Sequence, residues 1–388
     1  MLSRLFTRYR PTKSTLNVYP VNRFATYSNM SSILEPIAKK LKASKTIGTH
    51  SGTFHADESL GVSMLRKTAE YKDADLTRTR DPKVLDTLDI VIDVGGVYDP
   101  ARNRYDHHQR EFDEVFGDGT FPYPSSKVGG RQLEEGKEFS IKLSSAGLVW
   151  KHFGKHIINT MYGWAEDDEK TQTIWLKMYS SFVQAIDAND NGISMYDTDA
   201  KPRYSDSTNL PGRVRDLNPR WNEESNDTLL DQKFEEASKM AGDEFFRKLD
   251  FYVNAWIPAR ELVKTAIDSR FEVDSSGQIM VFHQSMPWKD HFFDLEEQIK
   301  PEKEILYVLY PESSEKPEGK WRIQCVSVRA DSFKNRKDMP DAWKGVRDQA
   351  LSDVSGIEGC IFVHASGFTG GNNTKDGALK MARASVAA

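Results

Sequence analysis

Cysteine is scarce. Cys325 and Cys360 are the only two in 388 residues, which excludes a disulfide framework and fits a reducing compartment. No apolar run approaches the ~20 residues of a membrane-crossing helix. Internal repeats and low-complexity tracts are also missing. Residues 1–29 hold no acid at all, yet carry Arg4, Arg8, Arg10, Lys13 and Arg23 among Ser, Thr and scattered apolar residues. That composition is expected of a mitochondrial transit segment. Met30 offers a second start. A form beginning at Met1 is therefore expected in mitochondria, and one beginning at Met30 in the nucleus and cytoplasm. Without its basic leader the body is more acidic than the whole chain's −5. Such a body does not coat itself with nucleic acid non-specifically, so any nucleic acid must be met in a local basic cleft.

What is present reads as α/β. "KTIG" (45–48) is a short buried strand, and 57–71 a helix with Leu60, Met64 and Leu65 on one face. A strand at 75–80 and a short helix at 81–88, with Pro82 in its first turn, come next. "DIVIDV" (89–94) has no polar alternation, as in a strand covered on both faces. "RYDHH" (104–108) suggests another short strand. Strands alternating with helices imply a mostly parallel sheet with flanking helices. Helices are expected at 144–162 and 169–190, and a long polar loop at 197–227. A long helix over 231–267 should bend or break near Pro258. From about 270 the texture changes to strands and two helices, a smaller α/β or α+β domain. The expected organisation is 1–29 transit-like, 44–226 catalytic, 227–269 connecting helix and 270–388 substrate-binding.

The ligand-type residues fall on this map in a pattern. His50 follows the first strand, Asp93 closes "IVID", and Asp106, His107 and His108 follow the next strand. In open α/β sheets, sites form outside the carboxyl ends of strands. A single Asp at a strand end is ordinarily a cap or turn residue. Three segments delivering His or Asp to one edge point instead to a metal site, with Asp187 in "QAIDANDNG" as a further acid. Imidazole suits transition metals and carboxylates suit hard ions. A His/Asp set without Cys favours Mn²⁺, with Mg²⁺, Co²⁺ or Zn²⁺ possible. His152 and His156 share a helix face four residues apart, but no Glu lies between them at the zincin position, and Lys151 and Lys155 flank them. They read as a half-exposed face.

Asp106-His107-His108 is the triplet for which the DHH phosphoesterase superfamily is named, and the chain resembles that superfamily in its ordered motifs. "GTHSGTFHADE", "YDHHQ", "DANDNGI" and "HASGFTGGN" are most similar to the eukaryotic melanocyte-proliferating-gene branch, over roughly residues 44–388. The first motif departs from the superfamily pattern. Four residues separate His50 from His55, and His55 stands where Asp is common, which makes the site richer in nitrogen. The resemblance implies a 3′–5′ exoribonuclease of mitochondria and nucleus, cleaving single-stranded RNA or short oligonucleotides by two-metal in-line hydrolysis. It implies metal ligation by His50, His55, Asp57, Asp93, His107 and Asp187, with Asp93 bridging. Asp106 would orient His107, leaving His108 to contact the scissile phosphate or protonate the leaving oxygen. In the C-terminal domain, Gly367, Gly370 and Gly371 would let backbone N–H groups approach phosphate, with Arg329, His364 and Lys375 as further substrate contacts. A pyrophosphatase or small-nucleotide phosphoesterase on the same core is the first alternative. A metal-binding regulator without turnover is the second.

Overall fold

The computed structural model describes residues 44–117 and 139–388 apart from 199, 202 and 317. The transit-like segment and Met30 lie outside the described residues. Lys45–Ala388 pack as one unit built on two five-stranded sheets.

The first sheet comprises β1 (Thr46–Thr49), β2 (Asp75–Arg78), β3 (Ile90–Ile92), β4 (Tyr98–Asp99) and β5 (Arg104–Tyr105), in the order β2-β1-β3-β5-β4. All pairings are parallel except β4 with β5. Both faces of β3 are covered, as its unbroken apolar run required. Ile90 and Ile92 enter the main core. Val91 faces Leu85 and Leu88 at the short helix α2 (Pro82–Leu85), which starts where Asp81 accepts the Lys83 N–H and Pro82 needs no donor.

Helix α1 (Ala56–Leu65) carries no amphipathic stripe, because every residue except Ser63 is buried. It lies against β3 and between α3 (Ser145–Tyr162) and the long helix Asp227–Phe251, and a Cβ at Gly61 would stand 2.8 Å from Ile92 Cδ1. Helix α4 (Glu169–Met178) continues through a π turn, Tyr179–Val183, into α5 (Gln184–Asp190). The segment 197–227 is not wholly irregular. Helix α6 (Leu210–Arg215) sits inside it, with Asn209 accepting the Gly212 N–H and Pro211 in the first turn. Helix α7 (Asp227–Phe251) passes through a second π turn, Tyr252–Trp256, into α8 (Ile257–Asp268). The ladder loosens just before Pro258, which cannot supply an N–H.

The second sheet has the order β6-β7-β8-β10-β9, from β6 (Ile279–Val281), β7 (Tyr307–Pro311), β8 (Trp321–Cys325), β9 (Cys360–Val363) and β10 (Thr369–Asn372). Only β6 and β7 pair in parallel; the others are antiparallel. Helices α9 (Lys289–Ile299), α10 (Asp348–Ser355) and α11 (Lys375–Ala387) complete this half. It joins the first half through polar contacts as well as through α8. Lys177 bonds Asp290 at 2.8 Å, and the buried His291 places Nε2 2.7 Å from the Trp256 carbonyl.

Candidate metal centre

β1, β3 and β5 run parallel side by side, so their carboxyl ends open on one edge. The next residues along each strand are His50, Asp93 and Asp106. Each therefore reaches the same space, a cavity of about 900 Å³ also lined by His55, Asp57, His107, His108 and Asp190.

Asp93 is the centre of the arrangement. Its Oδ2 lies 3.3 Å from His50 Nε2, and its Oδ1 lies 3.2 Å from His107 Nε2. Its backbone is left-handed, φ 61°, a conformation costly for most L-residues but open to Asp. Gly95 and Gly96 continue the turn at φ 101° and 69°. The turn carries the Gly96 N–H to 2.6 Å from Asp106 Oδ2. Ser145, in the first turn of α3, donates its hydroxyl to Asp93 Oδ1 at 3.0 Å.

Helix α1 adds acids from its first turn, where negative charge suits the helix dipole. Glu58 Oε1 accepts the His55 N–H at 2.8 Å and lies 3.1 Å from His50 Nε2. Asp57 is buried, and neither of its oxygens has a hydrogen-bond partner. Across the pocket, Asp190 Oδ2 lies 3.2 Å from His107 Nε2.

The charges respond accordingly. Burial, with repulsion from Asp93, Glu58 and Asp190, holds the Asp57 carboxyl well above its ordinary range. Burial also raises Asp190, against the pull of His107. At His50, burial disfavours the charge, but Asp93 and Glu58 outweigh it and push the imidazole up to about 10. At Asp93 the histidines overcome burial and hold the carboxylate low. Surroundings that keep a proton on His50 would equally keep a cation.

Three ligand sets have donor atoms within 4.8 Å of one another: His50, His55, Glu58 and Asp93; Asp93, His107 and His108; and His55, Asp57 and Asp190. Two donors each ~2.1 Å from one ion stand about 3 Å apart at ordinary coordination angles, which is the spacing seen around Asp93. His107 Nδ1 lacks a hydrogen-bond partner, as do both Asp57 oxygens. Buried polar atoms left open in this way are costly unless something fills them. The donor set fits divalent cations, with Asp93 shared between two sets.

The expected ligands His50, His55, Asp57, Asp93 and His107 are brought together. Asp187 is not. It is wholly buried, and its Oδ1 accepts from Ser144 N (3.1 Å), Ser144 Oγ (2.7 Å) and Gly147 N (3.0 Å), so it satisfies the N-terminus of α3. A side chain at Gly147 would strike that carboxylate. Burial pushes Asp187 up to about 7, against bonds from Ser144, Tyr179 and Gly147 that pull it down. Asp190, three residues on at the last position of the same helix, is the acid that faces the pocket, in one set with His55 and Asp57. Glu58 was also missed, although its position in an acidic first turn beside His55 was a usable signal.

A second correction concerns the triplet. Asp106 Oδ1 accepts from His108 Nδ1 at 2.7 Å and from the His108 N–H at 3.2 Å, so it orients His108 rather than His107. This bond raises the pKa of His108, whose side chain remains exposed to the pocket. His152 and His156 bond Tyr98 and Glu166 instead of gathering at a metal set.

The C-terminal candidates are dispersed. Gly370 and Gly371 are not in a phosphate-binding loop. They lie in β10 between β8 and β9, so their peptide groups serve the two ladders, and neither has a positive φ. Gly367 does have one, 74°, at the preceding turn, where its carbonyl accepts from Met339 N–H. His364 bonds Ser366 Oγ at 2.8 Å and packs edge-on against Phe368. Arg329 pairs with Asp331 beside a different cavity. The Lys375 ammonium stands 5.4 Å from the centre of the Trp321 ring. Three cations of the metal pocket, Arg80, Lys142 and Arg215, were not anticipated, since nothing local distinguishes them from other surface cations.

Fold and site together define a mixed α/β protein with a His- and carboxylate-lined centre at the edge of a parallel sheet. The chain belongs to the MYG1 exonuclease family (UPF0160), described as an uncharacterised protein family, whose model matches residues 46–386. It is 47% identical to the human protein named MYG1 exonuclease, over 90% of this chain and 87% of that one. It is 46% identical to the mouse MYG1 exonuclease, over 91% and 89%. A MYG1 protein of Saccharomyces cerevisiae is 42% identical, over 89% and 97%. No solved structure matches the chain.

Proposed function

We propose that this chain is a metal-dependent phosphodiesterase of the DHH type, acting as a 3′–5′ exoribonuclease. The observation that carries this reading is Asp93, with one carboxylate oxygen turned to His50 and the other to His107. That disposition suits a carboxylate shared by two cations. The exonuclease names of the human and mouse relatives support a nucleic-acid substrate.

In this reading His50, His55, Glu58 and Asp93 would hold one ion, and Asp57, His107 and Asp190 with Asp93 would hold the other; Mn²⁺ is the expected metal. Bound divalent cations supply Lewis-acid stabilisation of the phosphoryl charge and acidification of water. Ser145 fixes the rotamer of Asp93 through its hydroxyl. His108, whose pKa Asp106 raises, would deliver its proton to the leaving oxygen. Arg80, Lys142 and Arg215 attract phosphates into a pocket otherwise rich in acid. A cavity of about 900 Å³ accommodates a terminal nucleotide, and the C-terminal half holds the rest of the strand. The Met1 form acts in mitochondria and the Met30 form in the nucleus and cytoplasm, testable with fluorescent fusions of each.

The test is purified protein, reconstituted separately with Mn²⁺, Mg²⁺, Co²⁺ and Zn²⁺, incubated with 5′-labelled RNA and DNA from dinucleotide to long strands. A ladder shortening stepwise from the 3′ end of RNA is expected. Cleavage of pyrophosphate or dinucleotides alone would make this a small-nucleotide enzyme. No cleavage with any metal would leave a regulator.

A further inference from the structure

A second cavity, of about 700 Å³, lies in the C-terminal half, away from the metal centre, and is lined by Lys289, Phe333, Lys334, Arg336, Ser366 and Phe368. Its size is that of a small-molecule site. One wall is a hairpin. Ser327 and Asn335 bridge its arms, and the Val328 N–H bonds the Lys334 carbonyl at 2.9 Å. The base of the hairpin is fixed by Arg336, whose guanidinium is buried and bonds both oxygens of Glu296. Near the tip stands Phe333, wholly exposed to water. Phe368, also exposed, comes from the segment leading into β10 and packs on His364.

Three features call for a ligand. Phe333 and Phe368 are two exposed aromatics lining one cavity, a grouped apolar surface rather than a scattered side chain. The Arg336 Nε is buried without a hydrogen-bond partner at the cavity wall. Lys289 and Lys334 line the cavity with no acid paired to them among the described residues, while the acid that also lines it, Asp338, is taken up by Asn335 and Lys344; of the hairpin's other cations, Arg329 pairs with Asp331 and Arg336 with Glu296. This basic strip contrasts with the acidic net charge of the chain. Aromatic faces interleaved with cations are the means by which single-stranded nucleic acid is held without regard to sequence: bases stack, and phosphates meet Lys and Arg. The next residue after Lys289, Asp290, bonds Lys177 of the first half, so the cavity borders the junction with the half that carries the metal centre.

We propose that this cavity is a strand-holding subsite, in which a base of a single-stranded nucleic acid stacks on Phe333 and Phe368 while Lys289 and Lys334 take the flanking phosphates. The assignment rests on the reading of the chain as a nuclease, and moves substrate retention from the β10 glycines to the hairpin and Phe368.

The experiment uses the full chain in chelator, so that nothing is cleaved, and measures anisotropy of fluorescein-labelled 12-residue single strands of RNA and of DNA. Phe333→Ala is expected to weaken binding roughly 5- to 150-fold, the loss of one stacked base. Phe333→Trp should bind as wild type, whereas Phe333→Leu should resemble Ala. Because Phe333 buries nothing, these variants fold. Lys334→Ala should lower the slope of log Kd against log salt by about 0.7. A larger loss for RNA than for DNA would assign the 2′-hydroxyl a part in the site; equal losses would assign stacking and phosphate alone. Wild-type affinity in Phe333→Ala, or equal affinity of the Leu and Trp variants, would overturn the subsite. Hydrolysis of bis(p-nitrophenyl) phosphate by the wild-type, Mn²⁺-loaded protein tests the catalytic reading separately, since that ester has no strand to hold.

Discussion

At the carboxyl ends of β1, β3 and β5, His50, Asp57, Asp93 and His107 are buried, and several of their ligating atoms are left without hydrogen-bond partners. Around β9 and β10 the polar groups are spent. Gly370 and Gly371 pair on both sides, and the buried Asn372 donates to the Glu358 carbonyl and accepts from Thr374. The difference follows from sheet type. Parallel strands deliver all their carboxyl ends to one edge, where side chains converge. Antiparallel strands alternate direction and consume their polar groups in ladders, so that half can only offer what its loops carry outward, as the Phe333 hairpin does. Motif residues in the first half should therefore be sensitive in chemistry, and motif residues in the second sensitive in stability.

The sharpest test is Asp93→Asn. In the proposed centre, an amide could not serve two cations as a carboxylate would. Activity should fall by more than the roughly 10- to 100-fold cost of losing a residue that merely orients a ligand. Metal content, read by mass spectrometry, should fall with it. Retained metal and activity would break the assignment of the centre.

Next is the pair Asp190→Asn and Asp187→Asn. The first should lose metal affinity with little change in melting temperature. The second should keep metal but lose stability by about 1–3 kcal/mol, because the amide keeps an acceptor for α3 but places an N–H₂ group without a partner where the buried Oδ2 now stands. Its wild-type pH dependence has a definite sign. With Asp187 raised to about 7 in the folded state, the native protein binds more protons than the unfolded chain between about 4 and 7. This carboxyl's contribution to stability therefore declines as pH rises through that window. In Asp187→Asn that component should vanish from melting curves taken across the range. A reversal of the two phenotypes would restore Asp187 as the ligand.

Ser145→Ala should lower activity by about 10- to 100-fold through a freed Asp93 rotamer, with the fold intact by circular dichroism. Gly371→Val sharpens the other side of the comparison. Its added Cβ would lie 3.2 Å from the Trp321 carbonyl and 3.3 Å from Arg322, so a stability loss of about 1–3 kcal/mol is expected, with metal content unchanged.

The smallest expected effect is a shift in a pH profile. Asp106 raises the pKa of His108, and in the proposed mechanism the protonated imidazole is the acid. Activity is lost as pH rises through that pKa. Asp106→Asn should therefore move the alkaline limb of the rate profile to lower pH. An unmoved limb would remove His108 from the proposed acid role.

Much of this centre was legible in the sequence alone. The unbroken apolar run of β3 fixed a strand covered on both faces, and the residues following β1, β3 and β5 announced ligand chemistry by type and order. Local periodicity and residue chemistry are properties of short segments, so they survive without three-dimensional context. The choice between Asp187 and Asp190 was not of this kind. Both lie in one helix three residues apart, and only the packing of α3 over that helix decides which carboxylate meets backbone N–H groups and which meets His107. The same holds for Asp106, where the turn at Gly95 and Gly96 decides that its bond goes to His108, and for Gly370 and Gly371, which strand pairing on both sides turned from a loop into a ladder. Which polar atoms stay open is settled by neighbours distant in sequence, and that belongs to the tertiary structure.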